Sequence, residues 1–212
     1  MRKLFIFISL FICLYSIINA QAFIENDKII VVDPGHGGMD IGASIGDIYE
    51  SDLVLEISYK IKEVLEKNGY MVILTRTNKD SLCSCKFIKK EDMNKRINII
   101  NNSNAKVSIS IHLNKFNIER YKGAQVFYSS INDENKILAQ TIQDSLKNYL
   151  NNTDRSIVKR DNIYLLNRVR IPCCLIECGF MSNKEELSLL KDERYQYKFA
   201  EALLMGINNY LK

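Results

Sequence analysis

Short apolar, β-branched runs alternate with helical stripes along most of this chain, and that alternation restricts the fold to an α/β sheet covered on both faces. Runs at 29–32, 70–75, 107–111, 125–129, 162–166 and 173–176 predict six strands. Between the first two, Ser51 is placed to cap a helix carrying Leu53, Ile57, Ile61, Val64 and Leu65 on one face, with Asn68-Gly69 to end it. That makes a βαβ unit. A second helix over 91–101 groups Met93, Ile97 and Ile100, and a third opens at Asn132 or Asp133 with Ile137, Thr141, Leu146 and Leu150 near one face. Tyr195, Phe199, Leu203, Ile207 and Tyr210 stripe a C-terminal helix. The expected fold is a single α/β domain with a twisted, mostly parallel sheet of about six strands, mixed because 107–111 and 125–129 are placed to pair as a hairpin.

A chain of 212 residues, 47% hydrophobic and 25% charged, is ample for one such core and has no repeat of solenoid period. Arg2 and Lys3 are the only charges in residues 1–22, so the net charge of +4 falls to +2 without them. That excess is too small to imply a nucleic-acid partner. The two basic residues precede an apolar run over 4–18, and Ala20-Gln21-Ala22 supplies a small-x-small cleavage pattern. Residues 1–22 therefore read as a signal peptide, with an uncleaved anchor as the alternative and the only expected membrane contact. The working domain, 23–212, is expected outside the cytoplasm. It holds five cysteines, Cys83, Cys85, Cys173, Cys174 and Cys178, an odd number that cannot close wholly into internal disulfides. The last three sit in or beside an apolar run and read as buried small hydrophobes rather than a zinc cluster.

Only two histidines are present, and each stands at or just past the carboxyl end of an expected strand: His36 after Ile29-Ile-Val-Val-Asp-Pro-Gly35, and His112 after Val107-Ser-Ile-Ser-Ile111. Glu177 ends a third strand. Strand ends of an open α/β sheet meet in the crevice where ligands bind, so two imidazoles and a carboxylate can converge there on a metal such as zinc. Glu50 is the candidate for a further ligand, reached through the glycine-rich loop of Gly35, Gly37, Gly38, Gly42 and Gly46. Spacing supports equally a plain acidic residue at a helix N-terminus. The same loop matches neither glycine-rich nucleotide fingerprint. A thiol nucleophile at Cys178 has no activating neighbour in sequence, and its alternation with Glu177 turns it to the opposite face.

Taken together, Val31-Val-Asp-Pro-Gly-His-Gly-Gly38, Glu50, Leu74-Thr-Arg76, Ser108-Ile-Ser-Ile-His-Leu-Asn114 and Leu175-Ile-Glu-Cys-Gly-Phe-Met-Ser-Asn183 resemble the zinc-dependent N-acetylmuramoyl-L-alanine amidases, in order and over nearly the whole domain. Lys89-Lys-Glu-Asp-Met-Asn-Lys-Arg96 and Tyr121-Lys-Gly-Ala-Gln-Val-Phe-Tyr128 look most like the CwlD branch, which acts on spore-cortex peptidoglycan. The resemblance implies one Zn2+ held by His36, Glu50 and His112, with Glu177 as the catalytic carboxylate and Asn114 as a substrate contact. It implies hydrolysis of the amide between the lactyl group of N-acetylmuramic acid and L-alanine, in preparation for muramic-δ-lactam formation, at the cell wall or in the forespore intermembrane space. The implied partners are glycan strands, stem peptides and an accessory spore protein.

Two departures stand out. Ser51 replaces a lysine common after the ligand glutamate, and Leu166 stands where many relatives carry an arginine, for which Arg168 or Arg170 can substitute. The basic residues Lys86, Lys89 and Lys90 read as a solvated face, with a glycan-binding patch as the alternative. The strand, helix and strand between His112 and Glu177 leave no room for a long inserted helix over the site. The competing function is a catalytically silent peptidoglycan- or partner-binding domain of the same fold, against which the four intact site residues argue.

Overall fold

The structure, a computed structural model, describes residues 28–83 and 87–212. The expected signal segment and Cys85 lie outside the described residues. A six-stranded sheet runs in the order β4 (Met71–Leu74), β1 (Ile29–Pro34), β5 (Val107–Asn114), β8 (Cys173–Phe180), β6 (Gln125–Tyr128), β7 (Val158–Lys159). The first four are mutually parallel and β6 is antiparallel to β8, which makes the sheet mixed as expected. A small hairpin, β2 (Ser44–Ile45) with β3 (Ile48–Tyr49), lies outside it.

The mixing arises differently from the expected hairpin. β5 is buried along Val107–Ile111, and both of its edges are occupied, by β1 and by β8. The chain after β5 therefore passes over β8 and pairs with that strand's far side, Gln125 opposite Glu177. The expected strand over 162–166 is a run of turns, with Asn167 N–H donating to Ile163 and Val169 N–H to Leu165. Its apolar residues, Leu165 and Leu166, are buried against the sheet face rather than laid along its edge. The edge position beside β6 belongs to Val158–Lys159, a pair too short to show a strand period.

Alternation along the strands sends their apolar residues to two cores. On one face Ile30, Val32, Ile109, Ile111 and Ile176 meet helices α1 (Glu50–Lys67), α3 (Asp133–Leu150) and α5 (Glu193–Tyr210). On the other, Val31, Cys173 and Leu175 meet α2 (Lys89–Asn101) and the turns after β7. The buried stripe of α3 is Leu138, Ala139, Ile142 and Leu146, so Ile137, expected near it, is exposed. Asn132 caps α3, its side chain accepting from the Glu134 amide. A short helix that the periodicity did not show, α4 (Lys184–Lys191), is capped by Asn183.

Ser51 does not cap α1. That helix starts at Glu50 after Tyr49, with no side-chain cap, because loop carbonyls satisfy its first amides: Ala43 accepts from Glu50 at 2.8 Å and Ile41 from Ser51 at 3.1 Å. The same two bonds pull the glycine-rich loop against the helix start, which is what brings Glu50 to the sheet edge.

Candidate metal centre and adjoining cleft

At the end of β1 the chain turns through Gly35 into His36, whose φ of 58° is in the left-handed region that a side chain occupies at a cost. Two buried guanidinium groups hold that turn. Arg96 of α2 donates to the Pro34 carbonyl at 2.6 Å and to the His36 carbonyl, and Arg76 donates to Pro34 at 3.0 Å and Gly35 at 2.8 Å. Arg76 also reaches the Ser51 carbonyl at 2.7 Å, tying the loop to the start of α1. Beneath the turn, Asp33 accepts from Arg96 at 2.8 Å and from Ser110 at 2.7 Å. Asp92 completes the set, 2.7 Å from Arg96 Nε.

Held this way, three side chains converge. Glu50 Oε1 lies 3.1 Å from His36 Nε2 and 3.1 Å from His112 Nδ1, and it accepts from the Leu113 amide at 3.0 Å. Its other oxygen accepts from the Ala43 amide at 2.8 Å. Ligand atoms of His36, Glu50 and His112 all fall within 4.8 Å of one another, a group able to hold a metal ion. Two glycines form its cradle: a Cβ at Gly35 would collide with the His112 ring, and one at Gly42 with Glu50 and His36. Asp40 Oδ1 stands 3.0 Å from His36 Nδ1, an ion pair without hydrogen-bond alignment, and His36 Nε2 is the nitrogen that faces the group.

The electrostatics agree. Burial works against charge on both His36 and Glu50. Yet the Asp40 and Glu50 carboxylates raise the imidazole to about 9, and His112 and His36 hold the Glu50 carboxyl well below the usual range. A carboxylate oxygen with an imidazole nitrogen 3.1 Å away on either side is completed by ring N–H donors or, in their place, by one metal ion that all three atoms ligate. Nitrogen, nitrogen and carboxylate oxygen form a donor set that suits a borderline divalent ion.

Glu177 is the register partner of His112 on β8, and the shared pleat sends both side chains to one face of the sheet. Its Oε2 is buried without a hydrogen-bond partner among the described residues. Burial raises its carboxyl to about 7, against the opposing pull of His112. Such a group can exchange a proton near neutrality. Asn114 stands at the end of β5 past a register irregularity, half-buried, with its carbonyl accepting from Met181 at 2.8 Å. It does not line the cleft beside the metal group.

That cleft, about 520 Å³, runs from His36 and His112 between Met93, Tyr164, Leu165 and Leu175 to exposed Lys89 and Lys90. From sequence these two lysines read as a solvated face, with a glycan-binding patch as the alternative; in the structure they line the cleft. Asp40, Arg76, Arg96 and Tyr164 went unassigned from sequence, although Asp40 stands four residues from His36 in the same glycine-rich loop. Leu166 is fully buried, so a polar group at that position is absent from the site, and Arg168 instead stacks on Tyr164, 3.6 Å from the ring centroid. Cys173, Cys174 and Cys178 are buried free thiols and Cys83 is free and partly exposed. Burial pushes the Cys178 thiol far up, and it lies on the face away from Glu177, so it cannot serve as a nucleophile here.

A site able to bind a metal ion, with a protonatable carboxylate beside it at the carboxyl edge of a parallel sheet, is equipment for metal-assisted hydrolysis. The chain belongs to the N-acetylmuramoyl-L-alanine amidase family, Amidase_3, whose model matches residues 30–209. It is similar to the germination-specific N-acetylmuramoyl-L-alanine amidase of Bacillus subtilis (strain 168), 40% identical over 188 residues, which cover 86% of this chain and 79% of that one. Among solved structures it superposes on the CwlD amidase from Clostridioides difficile in complex with the GerS lipoprotein. There the TM-score is 0.81 and the identity 42%, over 87% of this chain and 98% of that one. An N-acetylmuramoyl-L-alanine amidase from Clostridium difficile 630 gives a TM-score of 0.79 at 34% identity, over 88% and 98% of the two chains. The chain is an amidase of peptidoglycan.

Proposed function

We propose that this amidase is zinc-dependent, that His36, Glu50 and His112 hold the ion, and that it strips stem peptides from spore-cortex muramic acid ahead of muramic-δ-lactam formation. The observation that carries the reading is the convergence of these three side chains at the mouth of the cleft, with Glu177 on the neighbouring strand. Zinc, when bound, supplies Lewis acidity toward water and the scissile carbonyl. Glu177 takes the proton of the attacking water on its unpartnered Oε2 and returns it to the departing alanine nitrogen. A carboxyl poised near 7 is suited to both transfers. Asp40 pairs with His36, while Arg76 and Arg96 keep its loop in place.

The spore setting rests on similarity to the germination-specific enzyme. The lipoprotein bound to the C. difficile relative supports an accessory partner in that setting. Residues 1–22 act as the export signal, delivering residues 23–212 to the cell wall or the forespore intermembrane space. Asn114, at the end of β5 and outside the cleft, has no feature that supports the substrate contact expected of it. The test is mass spectrometry of products from a defined muramoyl-peptide strand, with zinc, after chelation and after zinc is restored. The expected product is a peptide with a free L-alanine amine, lost on chelation and regained with zinc. Cleavage that survives complete metal removal would overturn the reading, and zinc binding without cleavage, with partner present, would point to a binding domain.

A further inference from the structure

The cleft has an apolar middle and a basic far rim, and the amidase reading alone does not explain the rim. Lys89 is exposed and its ammonium lies 3.4 Å from Oδ2 of Asp40, whose other oxygen pairs with His36. Its charge thus stands one carboxylate and one imidazole away from the metal-facing nitrogen. Lys90 lines the same cleft and makes no ion pair with a described residue. Tyr164, which lines the same cleft, is held twice: its hydroxyl donates to Asn94 of α2 at 2.9 Å, and Arg168 covers one face of its ring. The wall is therefore built, not a gap between loops.

We propose that Lys89 and Lys90 form a subsite for the free α-carboxylate of the stem peptide's second residue. The proposal rests on the amidase reading and extends it to substrate selection. With the lactyl carbonyl at the metal group, the first residue, alanine, presents only a methyl group, which suits the apolar walls at Met93, Leu165 and Leu175. The second residue is glutamate joined through its side chain, so its main-chain carboxylate stays free. Two residues of extended chain place that carboxylate within about 7 Å of the scissile bond, and Lys89 and Lys90 are the exposed cations that line the cleft opening from the metal group. Glycan hydroxyls offer an ammonium group no comparable charge, so the lysines select the peptide arm.

The test uses the full chain with zinc and two muramoyl-tripeptides whose C-termini are blocked as amides. They differ only in whether the second residue carries a carboxylate or a neutral carboxamide, which removes later carboxylates as a source. The expected result is about a fivefold preference in kcat/KM for the acid, carried by KM and shrinking with salt. In Lys89→Gln/Lys90→Gln the preference falls to about one, and in Lys89→Arg/Lys90→Arg it persists, because charge rather than shape sets it. Equal use of both substrates by the native chain overturns the subsite, as does a preference that survives the double glutamine change. Failure to cleave either substrate, with the accessory partner present, would instead break the amidase reading. Calorimetric titration of the same two ligands then decides the subsite separately: fivefold tighter binding of the acid supports it, and equal or absent binding overturns it.

Discussion

Two sets of buried charge sit three residues apart along β1 and its turn, and they are built on opposite plans. Around Asp33, the Arg96 guanidinium, Ser110 and Thr75 each donate to a carboxylate oxygen, and Asp92 takes Arg96 Nε and the Leu82 amide. Donors meet acceptors, and nothing further is needed. Around Glu50, by contrast, two imidazole nitrogens face one carboxylate oxygen and the Glu177 Oε2 nearby has no hydrogen-bond partner among the described residues. The first set fixes the backbone, and the second has affinity left over. Buried polar groups without partners cost stability, so an arrangement like the second persists where a ligand or a proton completes it.

The sharpest way to break this contrast is to remove the proton acceptor from the open set. Glu177→Gln keeps the shape and hydrogen-bonding capacity of the side chain but cannot carry a proton. Turnover is expected to fall about 10³-fold, as loss of a general base does elsewhere, while zinc affinity measured against a chelator changes little. Comparable turnover in the variant would sink the assignment of Glu177, and loss of zinc with it would move Glu177 into the ligand set.

In the closed set, the corresponding change acts on the fold. Arg96→Met strips the partner from two buried carboxylates and leaves the Pro34 and His36 carbonyls without that donor. Removing one member of a buried ion network costs about 3–5 kcal/mol, read here as a lower urea midpoint. A loss below about 1 kcal/mol would show that the network is not the support its geometry describes.

These two sets were unequally legible in the sequence. His36, His112 and Glu177 could be placed because strands end where apolar runs end, and scarcity of histidine made two strand ends conspicuous. Glu50 needed the family resemblance, because its approach depends on Ala43 and Ile41 accepting from the first amides of α1, bonds with no local signature. Arg76 and Arg96 looked like any other charged residues, since their partners are backbone carbonyls that every residue has. The strand order was missed where β8 enters between β5 and β6, because long-range pairing leaves no local pattern. Helix α4 carried a readable sign: Asn183 is followed three residues on by Glu186, whose carboxylate then accepts from the Gly123 and Phe180 amides.

The smallest of the expected effects is the acid limb of stability, and it separates the two sets by pH. Burial by itself would raise the Asp33 carboxyl, but Arg96 together with Thr75 and Ser110 holds it below its ordinary value of 3.8. The unfolded chain therefore binds a proton at Asp33 more readily than the native one. The network's contribution is complete above about pH 4 and is lost as pH falls through the lower, folded value. Thermal melting of the metal-free protein between pH 7 and pH 2 should show that decline, and Asp33→Asn, less stable at neutrality, should flatten it. An unchanged acid slope in Asp33→Asn would assign the decline to other carboxylates, while a flattened one marks Asp33 as the point at which acid opens the closed set.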